Sequence, residues 1–236
     1  MTCAKRPAVG SRLATEPERY LHKARESLAS AQAGVRDKRR NSAANRAYYA
    51  AFQAAVAALI AFDIRPKENW EHNFVASQFS GKLIWRRKAF STELKSTLAR
   101  LFDVRIDADY GSDPVSATKS ERCVRIAETF VTAVEDTLSG KAIKEPTAIY
   151  GEATIPRRKR AVDYVGVIKH KILETYPDLD FQIIKRGPRE FTLRILGDLE
   201  DMWDVQDAAG DLQSDILVQH DVWIHLSPKR RHPEDN

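Results

Sequence analysis

The strongest constraint on the fold of this chain is an almost uniformly apolar stretch from Ala47 to Ile60, in which Gln53 is the only strongly polar residue. We interpret it as a helix, and a helix without a polar face must be covered on every side. The stretch is too short to span a bilayer, which takes about 20 consecutive apolar residues. It therefore predicts the centre of a helical bundle. We expect a second copy of the chain to complete the cover, and a symmetric interface is one place where Gln53 can find its hydrogen-bond partner.

A later helix carries a charge where its apolar stripe should continue. The stripe recurs every three or four residues, at Leu94, Leu98, Leu101 and Arg105. Arg105 therefore lies on the apolar face, and Asp109 follows one turn later on the same face. A charge on a buried stripe costs free energy unless it is paired. This position of Arg105 marks it as a residue with a functional or structural task.

Periodicity and turn residues predict a bundle of four or five helices in residues 1–140. Thr15 and Glu18 have the spacing of a capping box at the start of the first helix. Asn69 is the expected cap of the third helix, and Asp113 followed by Pro114 is the expected start of the fifth.

The pattern changes after the bundle. Residues 141–156 contain two prolines and a glycine without periodicity, which predicts a linker. Residues 157–228 are expected to form a small α+β domain with the order α-β-β-α-β, in which residues 181–184 and 191–196 form a hairpin. Residues 229–236 are expected to be a basic and polar tail. The predicted fold class is mainly α with a C-terminal α+β domain.

The charge distribution points to a polyanion as partner. The net charge of +5 includes eight acidic residues and no Lys or Arg between Asp198 and Asp221, so the rest of the chain is strongly basic. The basic residues gather in four clusters, at 38–40, 86–88, 157–160 and 229–231. Such clusters favour RNA. The alternative is that they are solvated loop ends and tails.

Composition limits the compartment and the cofactors. The N-terminus is basic but lacks the apolar core of a signal peptide. Cys3 and Cys123 form neither a disulfide framework nor a metal site. We expect a cytoplasmic protein without a membrane segment, a metal or a cofactor.

Three segments together resemble the HEPN family of small helical-bundle proteins. They are AYYAAF at 47–52, a helix start with His72 and Phe79, and an R-x-x-A-D-Y signature from Arg105 to Tyr110. The resemblance spans roughly residues 15–140 and implies a prokaryotic protein of toxin–antitoxin or defence type. It further implies a homodimer, a cognate antitoxin protein as a possible partner, and RNA or a nucleotide as ligand. HEPN ribonucleases cleave RNA without a metal, at a composite site across the dimer interface.

The chain lacks the His that follows the Arg in the family's ribonucleases and that could transfer the proton of the ribose 2′-hydroxyl. The family's ribonucleases have a His four to six residues after the Arg, whereas residues 110–112 here are Tyr110, Gly111 and Ser112. Arg105, Asp109 and Tyr110 are the candidate catalytic residues. Asp109 is a weak candidate base because the neighbouring cation stabilises its charged form. Metal-independent endoribonuclease activity is therefore an open possibility rather than an expectation.

The sequence also predicts a set of residues that bind the phosphates of RNA. His72 lies in the first turn of its helix, where backbone N–H groups favour an anion. Arg86, Arg87 and Lys88 add positive charge.

Three roles for Arg105 remain open: catalysis, anion binding without turnover, and a structural ion pair with Asp109. The rival function for the whole chain is a non-catalytic dimerisation or protein-interaction module.

Overall fold

A computed structural model describes residues 14–141, 160–197 and 203–230 of the chain. The predicted linker at 141–156 lies outside the described residues apart from Lys141, and so does the end of the predicted tail. The first half is helical, and the second half contains a three-stranded sheet with two helices, so the predicted fold class is confirmed.

Five α-helices form the first half: α1 Glu16–Arg36, α2 Arg40–Ala61, α3 His72–Gln78, α4 Thr97–Tyr110 and α5 Ala117–Leu138. α3 continues into a π-helical segment, Phe79–Arg86, and a short 3₁₀ turn, Thr92–Leu94, precedes α4. The predicted capping box opens α1, where the Thr15 N–H donates to the Glu18 carboxylate at 2.6 Å.

Two predicted helix starts were wrong. The cap of α3 is Glu71 rather than Asn69. α5 begins after Ser116, whose hydroxyl accepts from the Lys119 N–H at 3.1 Å, and not at Asp113. The chain before α5 is instead tied to α2, because the Val115 N–H donates to Asn41 Oδ1 at 2.8 Å.

α2 is the centre of the bundle, as its composition predicts, and one chain covers it. Helices α1, α4 and α5 pack around it, and residues along its length have no exposed surface, among them Ala50, Ala54, Val56, Ala57 and Leu59. Gln53 accepts a hydrogen bond from Ser27 Oγ on α1 at 2.9 Å. The expectation that α2 needs a second copy, and that Gln53 pairs across a symmetric interface, was therefore wrong.

The second half has the predicted α-β-β-α-β order. Its elements are α6 Ala161–Leu173, β1 Asp180–Gly187, β2 Glu190–Gly197, α7 Trp203–His220 and β3 Trp223–Arg230. β1 and β2 form the predicted antiparallel hairpin, and β3 runs parallel to β2. β3 ends at Arg230, so residues 229 and 230 belong to the sheet rather than to a tail.

The two faces of the sheet have different partners. One face packs on α6 and α7 through an apolar core that includes Leu193, Ile195, Ile224 and Leu226. The opposite side of β3 packs against α4 of the bundle. α4 therefore lies between α2 and β3, and it joins the two halves of the chain.

A buried carboxylate anchors β3 to α4. The Asp103 side chain has no exposed surface, and it accepts from Gln213 Nε2 at 3.0 Å and from the Leu226 N–H at 3.1 Å. One turn further along α4, Asp107 accepts from Ser227 Oγ at 2.9 Å. Neighbouring residues of β3, Leu226 and Ser227, thus meet successive turns of α4.

We predict that Asp103→Ala destabilises the whole chain by about 3–5 kcal/mol, because it leaves buried donors of α7 and β3 without an acceptor. Urea unfolding followed by circular dichroism measures this loss. Asp37→Ala, at an exposed ion pair with Arg39, is the matched control and should leave stability essentially unchanged. A loss below about 1 kcal/mol for Asp103→Ala would contradict the assigned role of this carboxylate.

Candidate active site

The aromatic ring of Phe102 on α4 is the point where the two halves of the chain meet. Four rings surround it, with centroid distances of 5.3 Å to Tyr48, 4.8 Å to His72, 5.5 Å to Trp223 and 5.1 Å to His225. The guanidinium carbon of Arg105 lies 5.8 Å from the same ring centroid. Residues from α2, α3, α4 and β3 therefore form one cluster around Phe102, and Arg105 contacts the same ring.

Arg105 is a largely buried cation with incomplete pairing. Its side chain is 16% exposed, and its Nε lies 3.0 Å from Asp109 Oδ2 without the alignment of a hydrogen bond. The guanidinium also lies over the ring of Tyr49, at 5.9 Å from the centroid. Among the described residues, no group accepts a hydrogen bond from its two terminal nitrogens. A guanidinium has five donors, so this one is available to an anion.

Asp109 and Tyr110 differ in their relation to Arg105. Asp109 pairs with Arg105 as the i, i+4 spacing predicts, and it also accepts from Asn45 Nδ2 at 2.7 Å. Tyr110 is 75% exposed, and within the described ranges no hydrogen bond or ring contact ties it to the cluster. Of the three candidate catalytic residues, the structure brings only Arg105 and Asp109 together.

His72 is the first residue of α3, and its ring centroid lies 4.8 Å from that of Phe102. Its Nδ1 lies 2.5 Å from the hydroxyl of Tyr48. Burial lowers the pKa of His72 below its ordinary value, and the positive charges of Arg105 and His225 lower it further. Burial also raises the pKa of the Tyr48 phenol, so the hydroxyl keeps its proton and can donate to Nδ1. His72 is then neutral at pH 7, with an N–H at Nε2.

Arg86, Arg87 and Lys88 do not belong to this cluster. Arg87 Nη1 donates to the carbonyl of Phe62 at 2.9 Å, and its guanidinium lies over the Phe62 ring. Phe62 follows the end of α2, whereas Tyr49 lies near its middle, which separates the two groups by roughly 20 Å at 1.5 Å per residue. Their grouping with His72 in one phosphate site is therefore not supported by the structure.

Sequence reasoning missed the contribution of β3. His225 is 6% exposed; its Nε2 lies 3.2 Å from Glu190 Oε1 and its Nδ1 lies 3.2 Å from Asp103 Oδ1. Burial opposes a charge on the imidazole, but the hydrogen bonds to Asp103 and Glu190 outweigh it and raise the pKa of His225. The alternation of β3 indicates that His225 and Trp223 share a face. No sequence signal indicates that this face meets α4.

The protonation state of His225 decides one of its contacts. Nδ1 lies 2.7 Å from Trp223 Nε1 as well as 3.2 Å from Asp103 Oδ1. A neutral Nδ1 accepts from the indole N–H, whereas a protonated Nδ1 donates to the carboxylate. Burial raises the pKa of Asp103, although the donors around this carboxylate act against that rise. The contact between His225 of β3 and Asp103 of α4 therefore depends on the protonation of His225.

A cleft of about 300 Å³ lies beside the cluster, between α3 and the β1–β2 turn. Its lining includes Asn73, which follows His72, and Glu190, which contacts His225. A larger cavity of about 560 Å³ is lined by residues of the second half, including Tyr164 and His220, and has no lining residue from α4. The smaller cleft is the one that shares a residue with the cluster, because Trp223 lines it.

Within the described ranges, no three His, Cys, Asp or Glu side chains converge as a set of metal ligands. No described helix is both long enough and apolar enough to cross a bilayer.

The helical bundle and the Arg105 helix are those of a known family. The model of the HEPN domain matches residues 17–137, which is just over half of the chain. The chain therefore belongs to the HEPN family, and the resemblance seen in the sequence is confirmed. The curated proteins contain no match to it.

Proposed function

We propose that this HEPN protein binds RNA by holding a backbone phosphate between Arg105 and His72, without efficient cleavage. The observation that carries the proposal is the guanidinium of Arg105, which is largely buried and whose buried Nε has no hydrogen-bond partner among the described residues. A buried donor without an acceptor costs free energy. A phosphate oxygen supplies acceptors and negative charge together.

The chemistry of the neighbouring groups suits a phosphate. A guanidinium can bind two phosphate oxygens through parallel hydrogen bonds. His72, neutral and held by Tyr48 at Nδ1, can donate its Nε2 proton to another oxygen. Phe102 and Tyr49 shield the guanidinium from water, and this shielding strengthens its attraction for an anion.

Cleavage needs a further group that removes the proton of the ribose 2′-hydroxyl. Residues 110–112 provide no His, and Tyr110 points its ring into solvent. Asp109 already accepts from Asn45 and pairs with Arg105. These features favour binding over turnover. A metal-independent endoribonuclease with Asp109 as base is the alternative that the experiments below separate.

Membership of the HEPN family supports the remaining parts of the proposal. We infer a role in a toxin–antitoxin or defence system, in the cytoplasm, with a cognate antitoxin protein as a further partner.

We also propose a homodimer. Membership of the HEPN family supports it, although α2 is enclosed within one chain and needs no second copy to cover it. Tyr110, a large aromatic residue exposed at the end of α4, is the residue that we expect a second copy to cover. Light scattering should give twice the 26.7 kDa mass of one chain, and Tyr110→Asp should shift that mass towards one chain. A wild-type protein that stays at one chain's mass at micromolar concentration contradicts the dimer.

For RNA binding, we predict that Arg105→Ala lowers the affinity for single-stranded RNA at least tenfold and reduces its dependence on salt, because one phosphate contact is lost. Fluorescence anisotropy at several salt concentrations measures both effects. Arg87→Ala is the matched control, since Arg87 pairs with Phe62 at the far end of α2, and it should bind RNA like the wild type.

The same variants separate the three roles of Arg105. The double change Arg105→Met with Asp109→Leu restores stability if the ion pair is only structural, whereas RNA binding stays lost if Arg105 holds a phosphate. EDTA-resistant cleavage by the wild type that disappears in folded Arg105→Ala would show a ribonuclease. No affinity for RNA even at low salt would contradict the proposal and favour a protein-interaction module.

A further inference from the structure

The cleft of about 300 Å³ beside Phe102 has the form of a small-molecule site. Its apolar walls come from Trp223, Leu217 and Pro188, which belong to three different elements of the second half. Asn73 of α3 closes it from the side of the bundle. Apolar walls with a few convergent polar groups are the usual composition of a ligand pocket.

Two polar side chains in the cleft have hydrogen-bonding capacity to spare. Glu190 uses Oε1 for His225, while Oε2 lies towards Gly187 on the cleft wall and bonds to no group in the described ranges. The side-chain amide of Asn73 is likewise without a hydrogen bond to any described residue. The cleft therefore offers a free carboxylate oxygen and a free amide, and Trp223 is among its lining residues.

The cleft and the Arg105 cluster share a wall. Trp223 lines the cleft, and its ring lies 5.5 Å from the Phe102 ring, which in turn lies 5.8 Å from the guanidinium carbon of Arg105. The guanidinium carbon of Arg105 therefore lies no farther from the Trp223 ring centroid than the sum of these two distances. Asn73 is also the chain neighbour of His72. A nucleotide whose phosphate lies at Arg105 would need to place its base within that distance.

We propose that the cleft receives the base of the nucleotide whose phosphate is held by Arg105 and His72, and that it selects guanine. This inference rests on the proposed RNA binding and adds the base that is preferred. Single-stranded RNA allows such recognition because an unstacked base can be turned into a pocket, stacked on an aromatic ring and hydrogen-bonded at its edge.

The carboxylate gives the choice of base. The hydrogen bond from His225 lowers the pKa of Glu190, so its free oxygen accepts hydrogen bonds and donates none at neutral pH. Guanine presents two adjacent donors at one edge, N1–H and the N2 amino group. Adenine and cytosine present one amino group beside an acceptor nitrogen. Uracil presents one N–H between two carbonyl oxygens, and a carboxylate repels these oxygens.

The test compares the RNA pentamers UUGUU and UUUUU by fluorescence anisotropy with the full chain. We expect the wild type to bind UUGUU about tenfold more tightly or better, because the guanine edge offers two donors to the Glu190 carboxylate and the uracil edge offers one. Glu190→Gln, which keeps an acceptor for His225, should remove most of this preference. Asn73→Ala, outside the buried network, should also weaken the preference.

Glu174→Gln is the matched control, since Glu174 pairs with Lys171 on an exposed face of the second half, and it should keep the full preference. Equal binding of both pentamers by the wild type overturns the guanine site and leaves RNA binding standing. A full preference in both Glu190→Gln and Asn73→Ala, or tighter binding of UUAUU than of UUGUU, overturns it as well. Failure of the wild type to bind either pentamer instead contradicts the proposed function.

Discussion

The buried carboxylate of Asp103 sets the geometry on which the candidate site depends. It accepts from Gln213 of α7 and from the backbone of Leu226, and it contacts His225 of the same strand. These contacts hold β3 in register along α4, so that His225 stacks on Phe102 with the two rings 29° apart. The second half of the chain thus contributes residues to the candidate site.

The positive groups of the cluster affect the protonation of His72. Arg105 is a permanent cation, and the pKa of His225 is raised, while that of His72 is lowered by burial and by these two neighbours. An anion that enters the cluster reverses the effect on His72, since it replaces repulsion between positive groups by attraction. If the cluster holds a phosphate as proposed, binding should weaken with salt.

Local pattern was enough to predict much of the fold. The i, i+4 pair of Arg105 and Asp109 and the β1–β2 hairpin follow from spacing alone, because both are interactions between residues close in sequence. The enclosure of α2 by one chain, and the meeting of His225 with Phe102, depend on tertiary packing that spacing does not encode. Charge clustering was equally insufficient for Arg87, because a basic run does not say which end of a bundle it occupies.

The most direct test of the account is a nuclear magnetic resonance titration of the histidine side chains with and without UUUUU RNA. In the free protein His72 should titrate below its ordinary value of 6.5, because of burial and the neighbouring positive charges. With RNA bound, its pKa should rise, since a phosphate beside Arg105 stabilises the imidazolium. His22, 70% exposed on α1, serves as the internal control, and its signal should not respond to RNA. An unchanged His72 titration in the presence of bound RNA would contradict a phosphate site at this cluster.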